Sequence, residues 1–382
     1  MRHKNSVFHQ VLQYVPRGSF DGLVEELEGD KGMRTLSMWT QFTALAYGQL
    51  SGASSLREIE NALESHAARL YHVNARPIKR STLADANASR PAEVFTGLFA
   101  KLLAQARRGL RRALAETTYL IDSTSLRLNA LCAEWARFCT GVCGPKAHVI
   151  LDADTGTPVY MAVSAANVND ITAAKAMPIE AGATYVFDLG YYDYSWWAKL
   201  DQAGCRIVTR LKSNTPLQVI EERAAAEGGA VLSDRIGFLP ARQANSRKNP
   251  YSDPVREVRV KIETGKVLRI LSNDLDASAE DIAALYKRRW EIELFFRWVK
   301  QNLKIKSFLG TSENAIRIQI AVALIVYLLL KLAHRAHKTD ITLLAFTRLV
   351  KANLMQLKRI DSLTRQDTER PTNTSQLEFQ CL

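Results

Sequence analysis

The chain has 382 residues, 47% of them hydrophobic, and a formal net charge of +12. That length supports a sizeable core and two or three domains, and so basic a balance points first to nucleic acid and second to an anionic membrane as partner. The five scattered cysteines exclude a disulfide framework and imply a reducing compartment.

The charge is uneven. Residues 1–75 hold seven Lys/Arg against eight Asp/Glu; the excess begins at Arg76 and recurs at Arg107–Arg112, Arg242–Lys248 and Lys287–Lys306. The basic surface is therefore expected mostly beyond residue 75. Polar residues interrupt the first fifteen, so no secretory signal is expected. Ser37–Leu50 and Ser55–Leu70 carry apolar residues at helical spacing, split by Ser-Gly-Ala-Ser-Ser. Ser55 with Glu58 fits a capping box. The pair reads as a helical packing unit or, loosely, a helix-turn-helix.

Pro91 precedes a helix expected over Ala92–Leu114. Arg107, Arg108, Arg111 and Arg112 would share faces on it, as a phosphate-facing ridge or a solvated face. Strands are expected at Thr117–Asp122, Ala147–Leu151, Pro158–Ser164, Thr184–Phe187 and Cys205–Arg210. Helices are expected at Ile171–Ala181 and Tyr194–Ala203. Cys139 and Cys143 have half the spacing of a zinc site but lack a second pair. Residues 211–274 are strand-rich and turn-rich, with strands at Val255–Ile262 and Lys266–Leu271. One helix is expected over Ala277–Asn302, then helices at 313–337 and 341–357. The apolar run Ala321–Leu330, ended by Lys331, is too short for the ~30 Å of bilayer hydrocarbon and reads as a buried helix.

Asp122 and Asp188 each end a buried strand, where a carboxylate has left the core but is firmly held. Singly, either could be a turn or cap residue. A third acid, Glu293, lies in Tyr-Lys-Arg-Arg-Trp-Glu-Ile-Glu-Leu-Phe-Phe-Arg-Trp-Val-Lys at 286–300. At ~100° per residue, Tyr286, Arg289 and Lys300 fall within about 40° of Glu293 on a helix. That stripe suits a metal-binding acid set in a phosphate-binding surface; ion pairs on a solvated face are the alternative. Three such acids could hold two divalent ions about 3.5–4 Å apart. His148 reads as a structural histidine and Trp196–Trp197 as core. Trp298 reads as packing and Trp290 as DNA-facing.

The order strand with Asp, hairpin, helix, strand with Asp, helix, strand, helix with Glu matches an RNase H-like nuclease core. With Tyr286, Arg289, Glu293 and Lys300 in place, the chain resembles the DDE transposases of bacterial insertion sequences, specifically the fourth insertion-sequence family, marked by Tyr-x2-Arg-x3-Glu-x6-Lys. Ile-Asp-Ser-Thr at 121–124, Phe-Asp-Leu-Gly-Tyr-Tyr at 187–192, Val-Thr-Arg-Leu-Lys-Ser-Asn at 208–214 and Ser-Thr-Leu-Ala-Asp-Ala-Asn at 81–87 are similar to other segments of that family. Leu189 stands where relatives more often have a basic residue.

The resemblance implies an α/β fold: an RNase H-like core with a β-rich insertion before the last catalytic helix and a helical N-terminal domain. The divisions expected are 1–114 (helical, DNA-end binding), 115–210 (first part of the core), 211–274 (insertion), 275–358 (last part and C-terminal helices) and a disordered tail at 359–382. It implies that Asp122, Asp188 and Glu293 hold two Mg2+ ions, with Mn2+ as substitute. Tyr286, Arg289 and Lys300 would grip phosphates, with Arg210 and Lys212 as further DNA contacts. The implied reaction is excision and integration of an insertion sequence: 3′-end cleavage by water, then strand transfer by the 3′-hydroxyl. Double-stranded DNA, as terminal inverted repeats and target, is the expected partner, bound by a homodimer in the bacterial cytoplasm and nucleoid, without membrane. Some relatives form a DNA hairpin with help from a stacking Trp in the insertion; here Tyr251 or Phe238 would have to serve. The rival readings are a metal-dependent nuclease of the same fold and a non-catalytic DNA-binding derivative.

Overall fold

The computed structural model describes residues 5–107, 117–125, 146–164, 167–224, 228–244, 247–303 and 309–364. Among the described residues seven α-helices come first: α1 (Val7–Leu12), α2 (Arg17–Glu26), α3 (Met38–Ser51), α4 (Leu56–Ser65), α5 (Ala67–Leu70), α6 (Arg80–Ser89) and α7 (Glu93–Arg107). Ser37 caps α3 by accepting from the Thr40 N–H, and α3 stops at Gly52, which takes a left-handed φ of 79°. Ser55 accepts from the Glu58 N–H as the capping box requires, but the Glu58 carboxylate reaches back to Ser54 instead of Ser55. The expected 55–70 helix breaks at His66 into α4 and α5. Met38 through Leu50 are all buried, so α3 is a core helix and presents no face to a DNA groove. On α4, Glu58, Glu60 and Glu64 outnumber Arg57, a poor face for phosphate. The side chains of the arginines at 107–112, and Cys139 and Cys143, lie outside the described residues.

The strands then follow. β1 (Thr118–Ser125), β2 (Lys146–Asp152) and β3 (Thr157–Ser164) lead to α8 (Asp170–Ala174), β4 (Thr184–Phe187), α9 (Tyr194–Gln202) and β5 (Arg206–Arg210). Next come β6 (Gln218–Arg223), β7 (Val231–Phe238), β8 (Arg242–Ala244), β9 (Arg247–Lys248), β10 (Val255–Lys261) and β11 (Val267–Ser272). One nine-stranded sheet has the order β3-β2-β1-β4-β5-β11-β10-β7-β6; β8 and β9 pair separately. β1 runs parallel to β4, and β4 to β5, while β2 and β3 are antiparallel to the strands they join. After residue 211, β6, β7, β10 and β11 continue this sheet, because β11 pairs antiparallel with β5. The helix expected over Ile171–Ala181 is only α8, since Pro178 cannot continue it and pushes the residue before it toward extended backbone.

Side chains alternate across each strand and build a core on each face. Leu120, Val149, Val186 and Val208 pack on one side with the helices; Tyr119, Ile121, Tyr185, Phe187 and Ile207 pack on the other with Trp196 and Trp197 of α9. The helical side is closed by α10 (Ala279–Arg288), α11 (Trp290–Asn302), α12 (Glu313–Ala336), α13 (Leu343–Ala352) and α14 (Ile360–Thr364). The helix expected as one piece over Ala277–Asn302 is broken at Arg289, where i→i−3 bonds from the Arg289 and Ile292 N–H groups tighten the turn. By length and composition α12 could cross a membrane, but 83% of its apolar window is buried against the rest of the fold. Trp298 packs edge-on against Tyr327 of α12, at 5.1 Å between ring centroids. Residues 360–364, expected within a disordered tail, form α14, held by buried Ile360, whose N–H donates to Gln10 Oε1 at 3.0 Å; residues 365–382 of the expected tail lie outside the described residues.

Candidate active site

Strand register assembles the site. In the parallel β1–β4 pair Ile121 stands opposite Phe187, and in β4–β5 Val186 stands opposite Val208. One residue beyond the first pair brings Asp122 beside Asp188; two beyond the second bring Arg210 beside Asp188. Neighbouring strands lie ~4.8 Å apart, so the three form a row across the sheet. Asp122 and Asp188 alternate with Ile121 and Phe187 and so share the face of Leu120 and Val186, which α10 and α11 cover. β1 does not end at Asp122; antiparallel β2 carries it on to Ser125 after its parallel partner β4 has stopped.

The break at Arg289 turns its side chain into this row. Its guanidinium donates to Glu293 Oε1 at 2.6 Å and lies 3.6 Å from Asp122 Oδ2. Asp122, Glu293, Arg297, Lys300 and Gln301 line a cleft of about 410 Å³, with Phe296 as its apolar wall. Tyr286 is buried beside it; burial raises its phenol pKa, opposed by the charges of Arg289 and Arg210. The Arg210 Nε is buried with no hydrogen-bond partner. The structure therefore brings together Asp122, Asp188, Glu293, Tyr286, Arg289, Lys300 and Arg210. Lys212 stands apart, its ammonium 4.5 Å over the Tyr192 ring. Arg297 and Gln301 escaped the sequence reading, although they follow Glu293 at helical i+4 and i+8 spacing.

Burial pushes the Asp122 carboxyl up to about 6; the Ser123 N–H opposes this, the charge of Asp188 adds to it, Arg289 opposes it and Glu293 adds to it. A raised carboxyl makes the folded protein bind the extra proton. The stabilisation is complete below the unfolded pKa, near 4, and is lost as pH rises through about 6. Asp122→Asn should therefore stabilise the metal-free protein at pH 8 by up to about 3 kcal/mol, with the gain vanishing toward pH 4. Denaturation in EDTA at both pH values checks this, and equal stability at pH 8 refutes it.

A sequence family described as the transposase DDE domain matches residues 114–329. The chain belongs to the DDE transposase family. A second match, to a domain of unknown function, covers residues 3–76. The transposase is 40% identical over 295 residues to a protein of Sinorhizobium fredii named as a transposase, y4zB, spanning 76% of this chain and 82% of that one. It is 28% identical over 245 residues to a protein named as the transposase for insertion sequence element IS5377 of Geobacillus stearothermophilus, spanning 63% of each. The piggyBac transposase synaptic complex with hairpin DNA shares 12% identity with the transposase at a TM-score of 0.45, over 96% of this chain and 81% of that one. That likeness is too distant to carry an argument.

DDE transposases use divalent metal ions. The donor set here suits them: Asp122 is held high partly by the negative charges of Asp188 and Glu293, a repulsion that a bound cation relieves. Among the described residues no three acidic, histidine or cysteine groups already stand at metal-binding separation, and Arg289 takes the place of a cation between Asp122 and Glu293. The buried His148, whose Nε2 lies 2.7 Å from Ser164 Oγ, sits behind the sheet and not among these acids.

Proposed function

We propose that the transposase cuts DNA at the ends of its own insertion sequence and joins the freed 3′-ends to a target, with Asp122, Asp188 and Glu293 as holders of two Mg2+ ions. The observation that carries this reading is the register that sets Asp122 beside Asp188 on the face covered by the Glu293 helix. Ions held there supply activation of the attacking oxygen and stabilisation of the leaving oxygen. Arg289 moves from its carboxylate partners to a phosphate beside the scissile bond, where its planar fork binds two oxygens. Lys300 supplies a point charge across the cleft. Arg210 and buried Tyr286 steady the same phosphate group from the strand side.

The strand order β3-β2-β1-β4-β5, with the first three antiparallel and the last two parallel to β1, supports an RNase H-like core made of 115–210 and 275–358, with 211–274 as insertion. Residues 1–114 form the helical domain in this reading, and end recognition falls to surfaces other than α3 and α4. Joining two ends calls for a homodimer on paired inverted repeats, acting in the bacterial cytoplasm. Tyr251 is a poor candidate for stacking on a flipped base, because it is only 5% exposed.

A labelled linear duplex carrying the element's ends tests the reading. Mg2+ should give cuts at the element boundary and, with target DNA, joined products; EDTA should abolish both. Cut ends that never join would favour a nuclease, and binding without cutting in any metal would favour a non-catalytic derivative.

A further inference from the structure

The side of the sheet facing away from the cleft carries a second polar cluster. Ser123 follows Asp122 on β1; it borders the cleft, yet by strand alternation its hydroxyl turns to the opposite face. Its N–H donates to Asp122 Oδ1 at 2.7 Å, and its Oγ donates to Asp170 Oδ1 at 2.7 Å. Asp170 opens α8 but does not cap it; its bonds run to other elements. Lys146 Nζ lies 3.3 Å from the same oxygen and also donates to the Val168 carbonyl. His148 stands opposite Ser123 in the β1–β2 register. It is fully buried, and its Nδ1, 3.8 Å from Asp170 Oδ1, has no hydrogen-bond partner.

The other Asp170 oxygen lies close to the turn that follows Asp188. Gly190 N–H donates to Asp188 Oδ1 at 2.8 Å. A methyl group at Gly190 would lie 3.0 Å from that oxygen and 3.2 Å from Asp170 Oδ2. Any tightness here is one of space and not of backbone strain, since the Gly190 φ lies outside the left-handed range. One carboxylate thus accepts from the residue after Asp122 and lies against the glycine whose N–H donates to Asp188.

We propose that Asp170 is a positioning residue of the active site, fixing the separation of Asp122 and Asp188 from behind the sheet through Ser123 and Gly190. This rests on the proposed metal-holding role of those two acids. Partners that orient metal ligands without touching the metal typically matter 10–100-fold. Asp170→Ala should lower cleavage by about 10–100-fold and weaken calorimetric Mn2+ binding by about tenfold, with end binding within about threefold of wild type. Ser123→Ala should move both in the same direction. The double variant should be no worse than Asp170→Ala, because the two residues act through one bond. Asp170→Asn, which still accepts from Ser123, should lose less than Asp170→Ala.

Gly190→Ala carries the test if Asp170→Ala fails to fold. It removes no charge and no hydrogen-bonding group, yet puts a methyl against both carboxylates, and should weaken Mn2+ binding with an unchanged melting temperature. Unchanged Mn2+ affinity in folded Asp170→Ala and in Gly190→Ala, whatever their melting temperatures, overturns the proposal. Asp122→Asn serves as the control: if it too leaves Mn2+ binding intact, the metal-site assignment itself has failed.

Discussion

Glu293→Gln should lower cleavage at the element's ends by about 10³-fold or more while end binding stays within about threefold. The amide keeps the shape of the side chain, so the helix and its packing against β1 survive. What disappears is the charge that faces Asp122 across the cleft. Arg289 loses the carboxylate to which it donates at 2.6 Å and keeps the one 3.6 Å away. Its guanidinium is then freer to meet a phosphate, so binding should hold or tighten slightly. Gel-shift titration and cleavage of the same labelled duplex separate the two effects. Residual cutting within tenfold of wild type would remove Glu293 from the catalytic set.

The two candidate aspartates were legible because each closes an apolar run, although β1 itself carries on past Asp122 to Ser125. The parallel register does the rest. The signature at 286–300 needed no geometry beyond spacing. What the sequence concealed came from tertiary contacts. Nothing between Ala277 and Asn302 breaks a helix locally, for there is no Gly or Pro. The break at Arg289 arises because α10 docks on β4, β5, β10 and β11, whereas α11 docks on β1 and α12. Lys212 looked like Arg210, two residues on, but the chain turns after β5 and its ammonium finds the Tyr192 face instead. The burial of α3 was equally hidden. Its apolar residues recur at helical spacing, but its Thr and Gln residues lie all around the axis, and they are buried too: Gln41, for one, bonds to Asn87 inside the bundle. Asp170 carried no signal at all: an acid at the first turn of a helix is ordinary, and only the fold brings Ser123 to it.

Asp234→Ala should destabilise the protein by about 3–5 kcal/mol, with no help from metal. Arg256 on β10 and Asp234 on β7 have side chains only 3% and 5% exposed. The guanidinium makes two parallel bonds to the carboxylate, 2.8 and 2.7 Å long, and also donates to the carbonyls of Leu275 and Ala277. Removing the carboxylate leaves a buried cation satisfied only by neutral carbonyls, which is costlier than never having had the pair. Replacing both partners, as in Asp234→Leu with Arg256→Met, should therefore recover much of the loss. The position of the pair gives the result a second use. Leu275 and Ala277 lead directly to Ser278, whose side chain caps α10, and α10 carries Tyr286. If the strands after residue 211 serve mainly as a scaffold for that helix, denaturant unfolding should show the full loss in Asp234→Ala, while cleavage at low temperature should fall far less. A cleavage defect comparable to that of Glu293→Gln, in protein still folded, would instead mean that these strands help to set the cleft itself.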